Sequence, residues 1–157
     1  MAYLLLLLIP AGLVVPFAFA GYGFGTLGRV GLRHADRQVW LRSLAAFLGA
    51  GAAALYAWGL LGVGGAVLDA EDGGTDSAPL RPCRTPGQWE RALHVVDYTV
   101  DYVPLRFVCV TKDGGSYAAE AVPGYVNPGV VGFALAGVVC AGTAAFASQR
   151  RGAVEPG

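Results

Sequence analysis

Three stretches of this chain, Tyr3 to Gly25, Ser43 to Leu68 and Pro128 to Ser148, carry no charged residue. A helix rises about 1.5 Å per residue and the hydrocarbon core of a bilayer is about 30 Å thick, so roughly 20 apolar residues cross it. Each stretch is long enough. A soluble core has no use for three such runs in 157 residues, because a helix on a soluble domain keeps one polar face. Charged residues make up 14% of the chain, against about 25% in soluble domains. The expected fold class is membrane α-helical, with three transmembrane helices and a small extracytoplasmic antiparallel β domain between helices 2 and 3.

Orientation follows from the basic residues, which cytoplasmic loops retain during insertion. The connection between the first two runs holds Arg29, Arg33, Arg37 and Arg42, and the tail after the third holds Arg150 and Arg151. Between runs two and three lie nine acids and five bases, a net charge of −4. The expected order is a first transmembrane helix over 1–25, a basic cytoplasmic loop over 26–42 and a second helix over 43–68. An extracytoplasmic domain over 69–127, a third helix over 128–148 and a cytoplasmic tail over 149–157 follow. The protein is then multi-pass in the cell membrane, N-terminus outside and C-terminus cytoplasmic. Leu4 to Leu8 followed by Ala18-Phe19-Ala20 also has the form of a signal peptide with an A-x-A site. Cleavage there would leave the Arg-rich loop outside, and no basic residue precedes Leu4. The first run is therefore read as an uncleaved span.

Pro10 and Pro16 each remove a backbone donor from the first run, which neighbouring helices in a membrane can offset. Asp36 is placed to cap a second helix that starts before the bilayer, with Trp40 in the interfacial belt. Leu32, Ala35 and Val39 share one face of that approach and Arg29, Arg33 and Arg37 another, a pattern that fits lipid contact and also a plain basic loop. Small-xxx-small pairs, Gly132/Ala136 and Gly137/Ala141, allow close helix packing within the chain or in a homo-oligomer. Ten of the eleven basic residues are Arg and Ile9 is the only Ile. That bias fits GC-rich coding, as in a high-GC bacterium, and it inflates Gly and Ala whatever the packing.

The segment outside begins with an acidic linker, Asp69 to Pro79. It fails the EF-hand order of ligands, since Gly73 stands fifth and Leu80 twelfth. Val96, Tyr98, Val100 and Tyr102 then alternate with Asp97, Thr99 and Asp101, as in a half-buried strand. Pro104 interrupts; Leu105 to Lys112 predicts a second strand, Asp113-Gly114-Gly115 a turn, and Ser116 to Val122 a third strand. Trp89 is available to cover one face, and Tyr125 suits an interface. A domain this small needs a staple. Cys83 and Cys109 both fall in the exported segment, where disulfides persist, and their pairing is expected. Cys140, mid-span, is read as a small packing residue.

Gly23-Phe24-Gly25-Thr26-Leu27-Gly28 matches G-x-G-x-x-G but follows no strand, so it is read as a helix exit rather than a dinucleotide loop. His34 and His94 fall on opposite sides of the membrane, and no Cys/His set has zinc spacing. His94 near Asp97 could orient a general base, but no nucleophile motif accompanies it. Zero net charge and the lack of a basic aromatic stripe argue against nucleic acid. Uncharged spans argue against an ion path. No catalytic, cofactor or metal site is expected. The function expected is a non-enzymatic membrane protein, a bacterial envelope accessory or complex subunit, whose outer domain contacts a membrane or envelope protein. The alternative is a small transport or channel subunit acting as an oligomer.

Overall fold

The structure, a computed structural model, describes residues 2–31, 35–72 and 79–152, with side chains over 4–31, 35–72 and 79–149. Leu32, Arg33, His34, the linker residues 73–78 and the side chains of Arg150 and Arg151 lie outside that description. The elements run α1 (Ala2–Val30), α2 (Arg37–Glu71), α3 (Trp89–Ala92), β1 (Val95–Tyr102), β2 (Leu105–Thr111), β3 (Ser116–Ala118) and α4 (Val126–Gly152). A three-residue 3-10 turn, Arg81–Cys83, precedes α3. Three of the described helices, α1, α2 and α4, are long and apolar enough to cross a membrane.

Each long helix outruns its uncharged stretch. α1 passes unbroken through Pro10, Pro16 and the Gly23–Gly28 motif, so the motif lies inside the helix and is not its exit. The exit is Gly31, whose φ of 77° is open to glycine and whose N–H donates to the Leu27 carbonyl at 2.9 Å, a left-handed C-terminal cap. α2 starts directly after Asp36, whose carbonyl accepts from the Trp40 N–H at 3.1 Å, which marks Asp36 as the N-cap. Its 35 residues amount to about 52 Å of helix.

The chain divides into two compact units: Met1–Pro10 with Ala57–Asn127, and Ala11–Tyr56 with Pro128–Gly157. The first contains the sheet, an antiparallel meander in the order β1-β2-β3. β1 and β2 pair with Tyr102 opposite Leu105, Val100 opposite Phe107 and Tyr98 opposite Cys109. The turn between them is Val103-Pro104 with a cis peptide bond, the arrangement of a type VI turn. β2 buries Leu105, Phe107, Cys109 and Thr111 and exposes Arg106, the period of two that a half-buried strand requires. A short loop joins β2 to β3. The Gly114 N–H donates to the Thr111 carbonyl, Gly114 has φ 78°, and the Thr111 N–H donates to the Gly115 carbonyl. This is a type I turn closed by a left-handed glycine.

Residues 57–68, expected as part of the second span, also supply the helix on which the sheet unit packs. Leu60, Val63, Ala66 and Val67 of α2 are buried, as are Leu5 of α1 and Val126 of α4. A Cβ on Gly59 would stand 2.7 Å from a Leu105 methyl, and one on Gly62 would stand 2.5 Å from the Ala121 carbonyl oxygen. Only a bare helix surface admits a backbone that close.

Three local expectations are corrected. β3 stops at Ala118 instead of Val122. After the Ala119 N–H donates to the Phe107 carbonyl, the next β2 residue facing that side is Leu105. Its N–H and carbonyl are both taken by Asn127. Val96 does not share the inward face of β1. The register shifts between Val95 and Asp97, and Val96 is left 62% exposed at the irregularity, as the extra residue of a bulge is. Trp89, a candidate cover for one face, is not buried either; it is 55% exposed.

In the second unit, Phe47 of α2 meets Phe24 edge-on with centroids 4.9 Å apart and lies against Gly23, while Phe19 lies against Gly49. On the α4 side, Phe133 sits over Gly51, Leu55 over Gly129, and Gly137 against the Ala45 carbonyl. Small residues at these crossings let α2 take a neighbour on either flank.

Candidate docking surface on the sheet unit

The sheet unit is held by covalent and polar ties that converge on its ends. Cys83 and Cys109 form a disulfide with a Cα separation of 6.0 Å, and neither is exposed. The Tyr117 hydroxyl donates to the Cys83 carbonyl at 2.7 Å in a buried position, so the 3-10 turn is fastened to β2 through sulfur and to β3 through oxygen. At the edge, the Tyr98 hydroxyl donates to Glu71 Oε1 at 2.9 Å, joining β1 to the last residue of α2. Its ring stacks on Phe107 at 5.0 Å. Burial, the Glu71 bond and the charges of Glu71 and Asp97 raise the Tyr98 hydroxyl above its ordinary pKa. Burial raises Tyr117 too, against an opposing pull from Arg91.

Among the apolar residues that the unit exposes are two on the short α3 turn. Trp89 and Leu93, 55% and 58% exposed, are four residues apart and share one side of it, linked by the bond from the Leu93 N–H to the Trp89 carbonyl. Glu90 and Arg91 flank them. An exposed Trp beside an exposed Leu, rimmed by charge, has the composition of an interface centre. Sequence reading offered Trp89 only as a cover for one face of the sheet, because a lone Trp before a strand carries no mark of which side it faces.

Beyond α3 lies an open depression of about 380 Å³ lined by Glu90, Arg91, His94, Asp113, Ser116 and Tyr117 among others. His94 precedes β1 and does not sit within a strand; its Nδ1 donates to the Glu90 carbonyl at 2.8 Å. The Asp97 carboxylate accepts from the Tyr98 N–H at 2.8 Å and so serves β1 rather than orienting His94. Ser116 lines the same depression, a neighbour that its distance along the chain concealed, but no hydrogen bond joins it to His94 among the described residues. Among the described residues no group of three His, Cys, Asp or Glu is placed to hold a metal.

The remaining singled-out residues fall in the second unit. Arg29, Arg37 and Arg42 are exposed. Gly137 is buried against α2, while Gly132, Ala136 and Ala141 lie on open parts of α4. Cys140 is unbonded and half-buried. No family model, curated protein or solved structure matches the chain.

Proposed function

We propose that the chain is a multi-pass membrane protein that holds the sheet unit outside the cytoplasm and uses it, without catalysis, to contact a membrane or envelope protein. The observation that carries this reading is the pairing of exposed Trp89 and Leu93 on a unit braced by the Cys83–Cys109 bridge. Bracing matters because a surface that is ordered beforehand loses less freedom on binding. The orientation rests on Arg29, Arg33, Arg37 and Arg42 before the second long helix and Arg150 and Arg151 after the last. The bridge agrees with it, since disulfides persist outside the cytoplasm. The test is recovery of the tagged protein from its native membrane in mild detergent, read by mass spectrometry. A partner retained by the wild type and lost from a Trp89→Ala, Leu93→Ser variant supports the reading. Pure protein in proteoliposomes that moves a solute or turns over a substrate overturns it.

A second reading, an oligomeric transport or channel subunit, is favoured by the uncovered Gly132 and Ala136 face of α4, where a Cβ on Gly132 would meet nothing within 4 Å. Cysteines placed at 132 and 136 cross-link between chains under that reading and give no such product from a monomer.

A further inference from the structure

In the second unit the flanks of α2 leave a groove of about 440 Å³ with walls from α1 and α4 and a floor from α2. Tyr22, Ala45, Gly49, Val138 and Ala141 line it, and among the described residues the one cation in its lining is Arg42. Among the described residues no carboxylate lines it, and none pairs with the Arg42 guanidinium. Arg42 is also the last charge before the uncharged run that starts at Ser43. If the helices cross a bilayer, as proposed above, its end of the groove meets the headgroup layer and the rest lies in hydrocarbon.

We infer that this groove binds one anionic glycerophospholipid, with an acyl chain along the Ala45–Gly49 floor and the phosphate on Arg42. A guanidinium pairs a phosphate through two parallel N–H donors, and Tyr22, another residue of the lining, carries a hydroxyl that can donate. Charge decides between this occupant and a helix from a second copy. The uncharged runs of another chain bring no acid to Arg42, whereas an anionic headgroup brings its charge to that depth. The inference rests on the membrane reading and adds a ligand to it.

The test uses the full-length protein, delipidated in detergent and titrated by native mass spectrometry with phosphatidylglycerol, phosphatidylcholine and glycerol phosphate. Phosphatidylglycerol should bind about fivefold more tightly than phosphatidylcholine, the factor that one basic residue contributes near an anionic surface. Arg42→Gln should erase the preference, and Arg37→Gln, outside the groove, should keep it. Ala141→Phe should lower retention of both lipids. Equal binding of the two lipids by the wild type, or a preference that survives Arg42→Gln, overturns the inference. So does glycerol phosphate binding as well as the lipid, since the groove then adds nothing. A separate arm tells the two failures apart: release of the protein from membranes by alkaline carbonate without detergent defeats the membrane reading itself, whereas a retained protein with no lipid preference defeats the groove alone.

Discussion

The carboxamide of Asn127 grips both backbone polar groups of Leu105. Oδ1 accepts from the Leu105 N–H and Nδ2 donates to its carbonyl, each at 3.0 Å. One side chain thereby takes the place of a strand residue at the point where β3 leaves the ladder, and it ties the first turn of α4 to the first residue of β2. Asn127→Leu removes both bonds and leaves two part-buried backbone groups without partners. A loss of about 2–4 kcal/mol is expected from the usual penalty per unsatisfied group, read by denaturant unfolding in detergent. Asn127→Asp keeps the acceptor but turns a second oxygen toward the Leu105 carbonyl, so it should not restore stability. An Asn127→Asp variant as stable as the wild type would show that the contact is incidental.

Removing the bridge should loosen the sheet unit more than any single hydrogen bond does. Cys83 and Cys109 are 26 residues apart, and closing a loop of that size restrains the unfolded chain by about 3–4 kcal/mol in the entropy model. The double Cys→Ala variant should lose stability of that order, and the wild-type protein should migrate differently on a gel run with and without reductant. Identical migration and unchanged stability would argue against the bond.

Gly62 should tolerate nothing larger. Its Cβ position stands 2.5 Å from the Ala121 carbonyl oxygen, a backbone atom, while Gly65, one turn on, has open space. Gly62→Ala is expected to cost about 1–3 kcal/mol as an overpacked contact. Gly65→Ala should be neutral or gain up to about 1 kcal/mol from helix propensity. The two midpoints, measured side by side, check the contrast; a neutral Gly62→Ala would mean that the segment at Ala121 moves freely.

Alkaline pH should weaken the fold. Tyr98 and Tyr117 have folded pKa values raised above the ordinary 10.0. Below that value both folded and unfolded chains keep the hydroxyl protons, and the stabilisation is complete. As pH rises past about 10, the unfolded chain loses protons first, binds fewer than the folded one, and is favoured until the folded hydroxyls titrate as well. The thermal midpoint should fall above about pH 10, and less steeply in Tyr98→Phe. A Tyr98→Phe protein that falls as steeply as the wild type assigns the effect elsewhere.

The long-range plan of the chain was readable because it depends on the absence of charge. Three uncharged runs give the three long helices, and alternation around Tyr98 and Phe107 gives the first hairpin. Cys83 and Cys109 were pairable because they share one segment. The errors lie where tertiary contacts override local pattern. Val96 fits the alternation but sits on a bulge. Ser116–Val122 has the composition of a strand but loses its ladder partner to a side chain from outside the sheet. The apolar character of residues 57–68 does not distinguish lipid from protein as the surface they face. Trp89 and Leu93 stood apart only once their exposure was known. Residues of the groove are scattered over three helices, and no local motif unites them.

The sulfurs of Cys83 and Cys109 are sealed from solvent, with the Tyr117 hydroxyl latched over the Cys83 carbonyl. A small thiol cannot attack until the surrounding chain opens. The speed at which a reductant severs the bridge in the folded protein therefore times the local openings of the sheet unit, and at high thiol concentration it should reach a plateau set by the chain's own breathing.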